Sequence, residues 1–436
     1  RVRKLDYSIQ ISKLFYERFI TNEDISLFSP HNVPGLYDSF GTPSFDELYA
    51  SYEADDRIPR KTIGAQELIL DLLKERAETG RIYIMNIDHC NEHSSFKDKV
   101  SMSNLCQEIT LPTKPIKHID DPEGEIALCI LSAVNVGKLR NLDEMEELCD
   151  LSVRALDELI DYQGYPVESA RISTLARRSI GVGFIGLAHY LAKAGVKYED
   201  PKAWKLVHDL TESFQYNLLK ASNNIAKEKG ACEYFNRTKY ADGVLPIDTY
   251  KKDVDELVPN DLSCDWGNLR KDILSYGLRH STLSAQMPSE SSSVVSNATN
   301  GIEPPRGYLS IKKSKKGPLK QVVPSYGTLK NNYTLLWDMP SNEGYINIVA
   351  VMQKFFDQGI SGNWSYNPEN YPDNEVPVSV MAQDLLTTYK LGWKTSYYQN
   401  THDMKTDEVE EDKPDLNNLL SELSNAKEEE CESCAI

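Results

Sequence analysis

The chain reads as an α/β protein, on two kinds of segment that alternate along it. One kind is short and almost wholly apolar, as in 81–87 (RIYIMNI) and 125–136 (EIALCILSAVNV), the character of parallel strands covered on both faces. The other is longer, with apolar residues at helical spacing and polar residues between them, as in 142–162. Strands alternating with helices imply an α/β arrangement.

Taken in order, 5–19 has helical periodicity, and 64–78 repeats it with Leu68, Leu70, Leu72 and Leu73. A strand is expected over 81–87 and a polar loop over 88–104. Then comes the strand candidate 125–136, followed by a helix over 142–162 carrying Leu148, Leu151, Val153, Leu156 and Ile160. Segments 177–195 and 204–230 are expected to be helices, the second stopped by Gly230. Segments 333–339 and 345–359 fit short strand or helix pieces, and 378–392 is a helix entered just after Pro377. A last short strand fits 394–399. Beyond Asp403 the pattern gives way to Asp, Glu, Lys, Asn and Ser, the composition of a mobile tail. No internal repeat is visible.

With 436 residues, 40% of them hydrophobic, the chain has ample material for a large core. Its net charge of −18 argues against a general nucleic-acid binder, which needs a basic stripe. From Met404 onward there are eleven acidic residues against three lysines, so much of the acidity sits at the end. No apolar run reaches the length of a membrane span, and the N-terminus lacks a signal-peptide core. Eight cysteines without a secretory signal read as reduced thiols, which places the protein in the cytoplasm.

Three stretches carry chemistry. The run 287–307 (MPSESSSVVSNATNGIEPPRG) gathers Pro288, Ser289, Glu290, Ser291, Ser292 and Ser293 ahead of Asn297, Asn300 and Gly301. A serine run is commonly a solvated loop, but at the opening of a short helix it offers hydroxyls and free N–H groups to a phosphate. Glu290 is out of place beside such an anion and should point away or pair with a cation such as Arg306. Upstream lies Asn104-Leu105-Cys106-Gln107-Glu108. If extended, it projects Asn104, Cys106 and Glu108 to one side and Leu105 and Gln107 to the other. An amide, a thiol and a carboxylate on one surface suit hydrogen abstraction, proton transfer and hydroxyl binding; a plain buried cysteine with polar neighbours is the bland alternative. Downstream is Tyr397-Tyr398-Gln399-Asn400-Thr401, where two tyrosines in sequence are ordinarily packing residues.

In this order, the three stretches closely resemble the large catalytic subunit of the aerobic, tyrosyl-radical-dependent ribonucleotide reductases. The likeness runs from RVRKLDY and LFSPHNVPGLYDSF to the last cysteine. It implies the C-terminal half of a ten-stranded α/β barrel with helical segments and a disordered acidic tail. The implied division is 1–100 leading into the barrel, 101–403 its second half, and 404–436 the tail.

By the resemblance, Cys106 is the thiyl-radical cysteine that takes the 3′ hydrogen, Glu108 the base for the 3′-hydroxyl, and Asn104 a hydrogen-bonding partner of the sugar. Residues 104–108 and 288–292 would bind a ribonucleoside diphosphate, with the serines on its phosphates. Tyr397 and Tyr398 would relay the oxidising equivalent to Cys106. Cys129 would be one of two cysteines that supply electrons and end as a disulfide. A carboxylate works as a base near neutral pH when burial raises its pKa, so Glu108 is expected in a dry pocket.

Cys431 and Cys434, at C-x-x-C spacing, suit a reversible disulfide and match the family's reducing tail, recharged by thioredoxin or glutaredoxin. From Tyr398 a flexible coil of this length reaches roughly 30 Å. The surrounding glutamates should raise the two thiol pKa values. No metal or cofactor is expected on the chain itself; the radical would come from a metal-bearing small subunit. Cys149, Cys232 and Cys264 read as structural.

One departure stands out. The family's second reducing cysteine lies far upstream of the N-x-C-x-E motif, and here only Cys90, in DHCN, precedes Cys106. The effector-binding regions are missing as well. Either the chain is truncated, or the subunit is naturally split and another polypeptide supplies the N-terminal half. The split is favoured because the boundary falls ahead of a helix. The competing readings are an inert interaction module of the same complex and a cobalamin-dependent reductase, against which the tyrosine pair argues.

Overall fold

The computed structural model describes residues 5–314 and 317–402. Parallel strands set the frame. Ile130–Asn135 pairs in parallel with Ile180–Ile185, Ile130 opposite Ile180. Parallel bridges carry the order onward from Val182 to Ser284 and from Gln286 to Ile360. A second group joins Tyr7–Ile11, parallel to Ile82–Asn86, with Thr395–Ser396 running antiparallel on the other side of Ile82–Asn86. Trp364–Tyr366 pairs in parallel with Gln399–Thr401. These parallel ribs with covering helices bear out the α/β class, and the described residues do not close into a barrel.

The helices are where crossovers between parallel strands require them. Glu144–Tyr162 and Glu168–Arg177 connect the strands Ile130–Asn135 and Ile180–Ile185. The long helix Pro201–Lys229 starts with Pro201 in its first turn and an Asp200 carboxylate that accepts from the Lys202 N–H at 2.8 Å. It packs against Glu144–Tyr162 and buries Val207, Leu210, Phe214, Leu218 and Ile225 in the main core. That core runs from Ile11 to Trp393 and includes the strand Ile180–Ile185, buried along its whole length.

Several expectations are corrected. The segment 5–19 is a strand, Tyr7–Ile11, followed by a helix, Lys13–Thr21. The helix expected over 177–195 is a strand, Ile180–Ile185, and a shorter helix, Leu187–Ala194. Its glycines have a packing cause: a Cβ on Gly181 would lie 2.6 Å from Leu131 Cδ2, and one on Gly183 2.6 Å from the Ala285 carbonyl oxygen. The strand read over 125–136 begins at Ile130, so Cys129 precedes it. The loop read over 88–104 opens inside a short helix, Ile87–Glu92. The acidic tail with Cys431 and Cys434 lies outside the described residues.

Candidate functional site

The strand order brings the three sequence motifs together. The segment ending at Gln286 runs straight into Pro288 and the serines, and lies beside 358–361. That neighbour in turn holds the Cys106 turn. Gly359 N–H donates to the Glu108 carbonyl at 2.8 Å, and the Ser361 hydroxyl donates to the Cys106 carbonyl at 2.5 Å. Gly359 has to be glycine for this approach: a Cβ would lie 2.8 Å from the Gln107 carbonyl oxygen and 3.1 Å from that of Glu108.

Residues 104–108 are not extended. Gln107 N–H donates back to the Asn104 carbonyl at 3.2 Å, and Gln107 adopts a left-handed φ of 71°. The two-residue alternation therefore fails: Leu105 turns outward at 62% exposure, while Gln107 and Glu108 are both buried. The Asn104 side chain closes the turn by accepting from Ile109 N–H at 3.0 Å.

Glu108 is 3% exposed, so it lies in dry surroundings as expected. Burial raises its pKa, against the opposing pull of hydrogen bonds from Asn104 and Ser361, the latter at 3.1 Å. The Cys106 thiol is also pushed up, first by burial and then by the charges of Glu108 and Glu290, with a hydrogen bond from Tyr397 opposing. The Tyr397 hydroxyl donates to Cys106 Sγ at 3.5 Å. The rings of Tyr397 and Tyr398 lie 4.0 Å apart at 48°, so neighbours in sequence are also neighbours in space. Strand alternation would have separated them; the pair falls in the gap between Thr395–Ser396 and Gln399–Thr401 and escapes it.

Cys129 has a partner that the sequence did not disclose. Gln358 Nε2 donates to its sulfur at 3.6 Å and to the Ile180 carbonyl at 3.1 Å. Burial pushes the Cys129 thiol up to about 12, leaving it a neutral S–H near pH 7. Tyr83 was also missed. Its ring lies 4.8 Å from Tyr397 and meets Tyr398 edge-on at 5.5 Å. Within strand 81–87 it gave no signal beyond an ordinary aromatic.

Ser289 adopts a left-handed conformation (φ 56°) ahead of the short helix Glu290–Val295, and its buried hydroxyl has no hydrogen-bond partner. Ser291 and Ser292 are exposed, while Ser293 is buried and donates to Asn300 Oδ1 at 3.1 Å. Glu290 is exposed as well, and with Asn300, Glu303 and Arg306 it lines a cavity of about 310 Å³. Arg306 donates to Asn400 Oδ1 at 3.1 Å, linking the cavity wall to the tyrosine segment.

Among the described residues one trio, His208, Asp209 and Glu212, has the donor types of a cation site. Its atoms are already engaged. Glu212 accepts from the N–H groups of Ser263, Cys264 and the Trp266 indole, and the Lys354 ammonium lies 3.3 Å from His208 Nε2. The trio is a structural pin. Cys149 and Cys232 are buried in the same structural sense, and Cys264 is partly covered. No helix of the described residues is long and apolar enough to cross a membrane.

The family model described as "Ribonucleotide reductase, barrel domain" matches residues 1–331 and 326–399. Among curated relatives, "Ribonucleoside-diphosphate reductase subunit alpha" of Haemophilus influenzae is 59% identical over 420 residues, 95% of this chain and 55% of that protein. The protein of the same name in Buchnera aphidicola is 52% identical over 438 residues, 99% of this chain and 56% of its own length. "Ribonucleoside-diphosphate reductase 1 subunit alpha" of Escherichia coli is 54% identical over 408 residues, 92% of this chain and 54% of that protein. The chain thus spans about half the length of the curated relatives it matches.

Proposed function

The chain belongs to the ribonucleotide reductase barrel-domain family, and on that premise we propose that it is the C-terminal part of a catalytic subunit that reduces ribonucleoside diphosphates. The oxidising equivalent is supplied by a metal-bearing small subunit. The observation that carries this reading is the Tyr397 hydroxyl at 3.5 Å from Cys106 Sγ, close enough for a hydrogen atom to pass between oxygen and sulfur.

In this reading the equivalent passes from Tyr398 to Tyr397, whose phenoxyl takes the hydrogen atom of the Cys106 thiol. The thiyl radical then takes the 3′ hydrogen of the ribose. Glu108 accepts the 3′-hydroxyl proton, for which its raised pKa suits it, and Asn104 orients the sugar. Leu105 and Gln107 complete that wall, while Pro288, Ser289, Glu290, Ser291 and Ser292 surround the diphosphate. Cys129 and a second cysteine thiol each lose a hydrogen. The 2′ C–O bond breaks and a C–H bond replaces it. Cys106 returns its hydrogen to C3′ to regenerate the thiyl radical, Glu108 returns the proton to the 3′ oxygen, and one water and one disulfide result. Cys431 and Cys434, recharged by thioredoxin or glutaredoxin, reduce that disulfide again. The division at 100 and 403 belongs to this proposal, as does a cytoplasmic location.

Cys106→Ser tests the assignment in the assembled complex. Deoxynucleotide formation should be lost, while the melting temperature moves by no more than a degree or two. Turnover retained by the folded variant would refute the role of Cys106.

A further inference from the structure

Arg76 lies in the last turn of the helix Ala65–Thr79 and is 0% exposed. Among the described residues no carboxylate forms an ion pair with it. A buried charge without a counter-ion is costly, and here burial lowers the guanidinium pKa to about 10. Its Nη donors go instead to main-chain carbonyls, while the buried Nε has no hydrogen-bond partner. Nη1 bonds those of Ile82, at close range, and Tyr397, at 2.9 Å; Nη2 bonds that of Tyr398 at 3.2 Å. The guanidinium also lies 4.8 Å from the centre of the Trp364 ring.

The backbone of the tyrosine pair accounts for this use of a buried charge. Because Tyr397 and Tyr398 sit between two strands, no regular ladder covers them. Tyr397 N–H donates to the Gly362 carbonyl at 2.7 Å, and Tyr398 N–H to Asn363 Oδ1 at 2.9 Å. The Tyr398 carbonyl accepts from Trp364 N–H at 2.9 Å as well as from Arg76. The Tyr397 carbonyl is held by Arg76. The helix end is pinned to the same segment by a bond from Gln399 N–H to the Gly80 carbonyl at 3.1 Å.

We propose that Arg76 is the positioning residue of the tyrosine pair: its planar fork grips two consecutive carbonyls and so fixes the Tyr397 hydroxyl against Cys106 and the two rings against each other. The inference rests on the relay reading given above. Arginine suits the task because a rigid fork spans two acceptors in one geometry, whereas a lysine ammonium on a flexible stem does not. Arg76 reaches neither Cys106 nor the serine turn through any of these bonds, so its effect falls on transfer to Cys106 and not on substrate binding. Misplacing a reacting atom by about 1 Å costs on the order of 100-fold in rate.

The test uses the complete reductase, assembled from this chain, the polypeptide carrying the rest of the large subunit, and the radical-bearing small subunit. Arg76→Lys, Arg76→Gln and Tyr397→Phe are compared with the parent for kcat, KM for cytidine diphosphate and melting temperature. Folded Arg76 variants should lose about 10- to 100-fold in kcat with KM within about twofold of the parent. If Arg76→Gln does not fold, Arg76→Lys decides. A folded variant with kcat within about twofold of the parent, or a proportional change in kcat and KM, overturns the assignment. An inactive Tyr397→Phe beside active Arg76 variants sinks Arg76 alone; an active Tyr397→Phe sinks the relay reading and Arg76 with it.

Discussion

The Tyr397 hydroxyl donates a hydrogen bond to the Cys106 sulfur at 3.5 Å, across 291 positions of sequence. Two chain segments create that contact. One is the turn 104–108, docked through Gly359 and Ser361; the other is the strand gap that leaves Tyr397 and Tyr398 side by side.

Removing the phenol hydroxyl isolates the contact. Tyr397→Phe should abolish turnover while costing about 1 kcal/mol of stability, the usual net value of one hydrogen bond. Turnover assays beside urea unfolding check both halves of this expectation.

Glu108 sets a pH dependence. Its folded pKa is raised by burial, so ionising it in the fold is costlier than in the unfolded chain. The native state binds the extra proton between the two pKa values, and stability falls as pH rises through that window. Glu108→Gln should therefore equal the parent in stability below the unfolded pKa of about 4.3 and match or exceed it near neutrality. The parent's activity should rise with pH along an acidic limb that the variant lacks, with kcat down about 100- to 10,000-fold.

Gly359→Ala should force the Cys106 turn away. Overpacking of this kind costs about 1–3 kcal/mol, and turnover should fall with it. Gly164→Ala, where an added Cβ meets nothing within 4 Å, is the matched control and should be near neutral. Chemical denaturation of the two variants side by side separates steric intrusion from the general effect of removing a glycine.

Lys394 is wholly buried, and burial lowers its pKa to about 7. Its ammonium reaches the carbonyls of Asp357 at 2.8 Å and Gln358 at 3.1 Å, just ahead of Gly359. A lysine with a depressed folded pKa leaves the unfolded chain holding more protons between about pH 7 and 10, so stability rises with pH there. The stability of the parent relative to Lys394→Met should climb across that range by at most about 1.4 kcal/mol per pH unit. Urea midpoints measured at several pH values give the slope.

The sequence made the α/β class legible because buried parallel strands and amphipathic helices leave distinct periodicities, as in Ile82–Asn86 and Glu144–Tyr162. It misled at Ile180–Ile185, where glycines forced by close packing interrupt an apolar run that abuts a true helix. The chemistry-bearing residues Cys106, Glu108 and Tyr397 stood out through their motifs. The alternation assumed for 104–108 failed because a left-handed Gln107 turns the backbone, and a tight turn leaves no two-residue pattern to read. Arg76, Tyr83, Gln358 and Ser361 escaped notice for a different reason. Each acts through contacts with segments remote in sequence, and neither composition nor spacing around them records such contacts.

The most direct measurement is conversion of cytidine diphosphate to its deoxy form by this chain with a radical-bearing small subunit and a dithiol, with and without a polypeptide supplying the upstream half-barrel. Product is expected when that half is present and not without it, because reduction needs a second thiol beside Cys129. Product without the added half would mean that a cysteine of this chain completes the pair; no product with both halves present would contradict the catalytic reading itself.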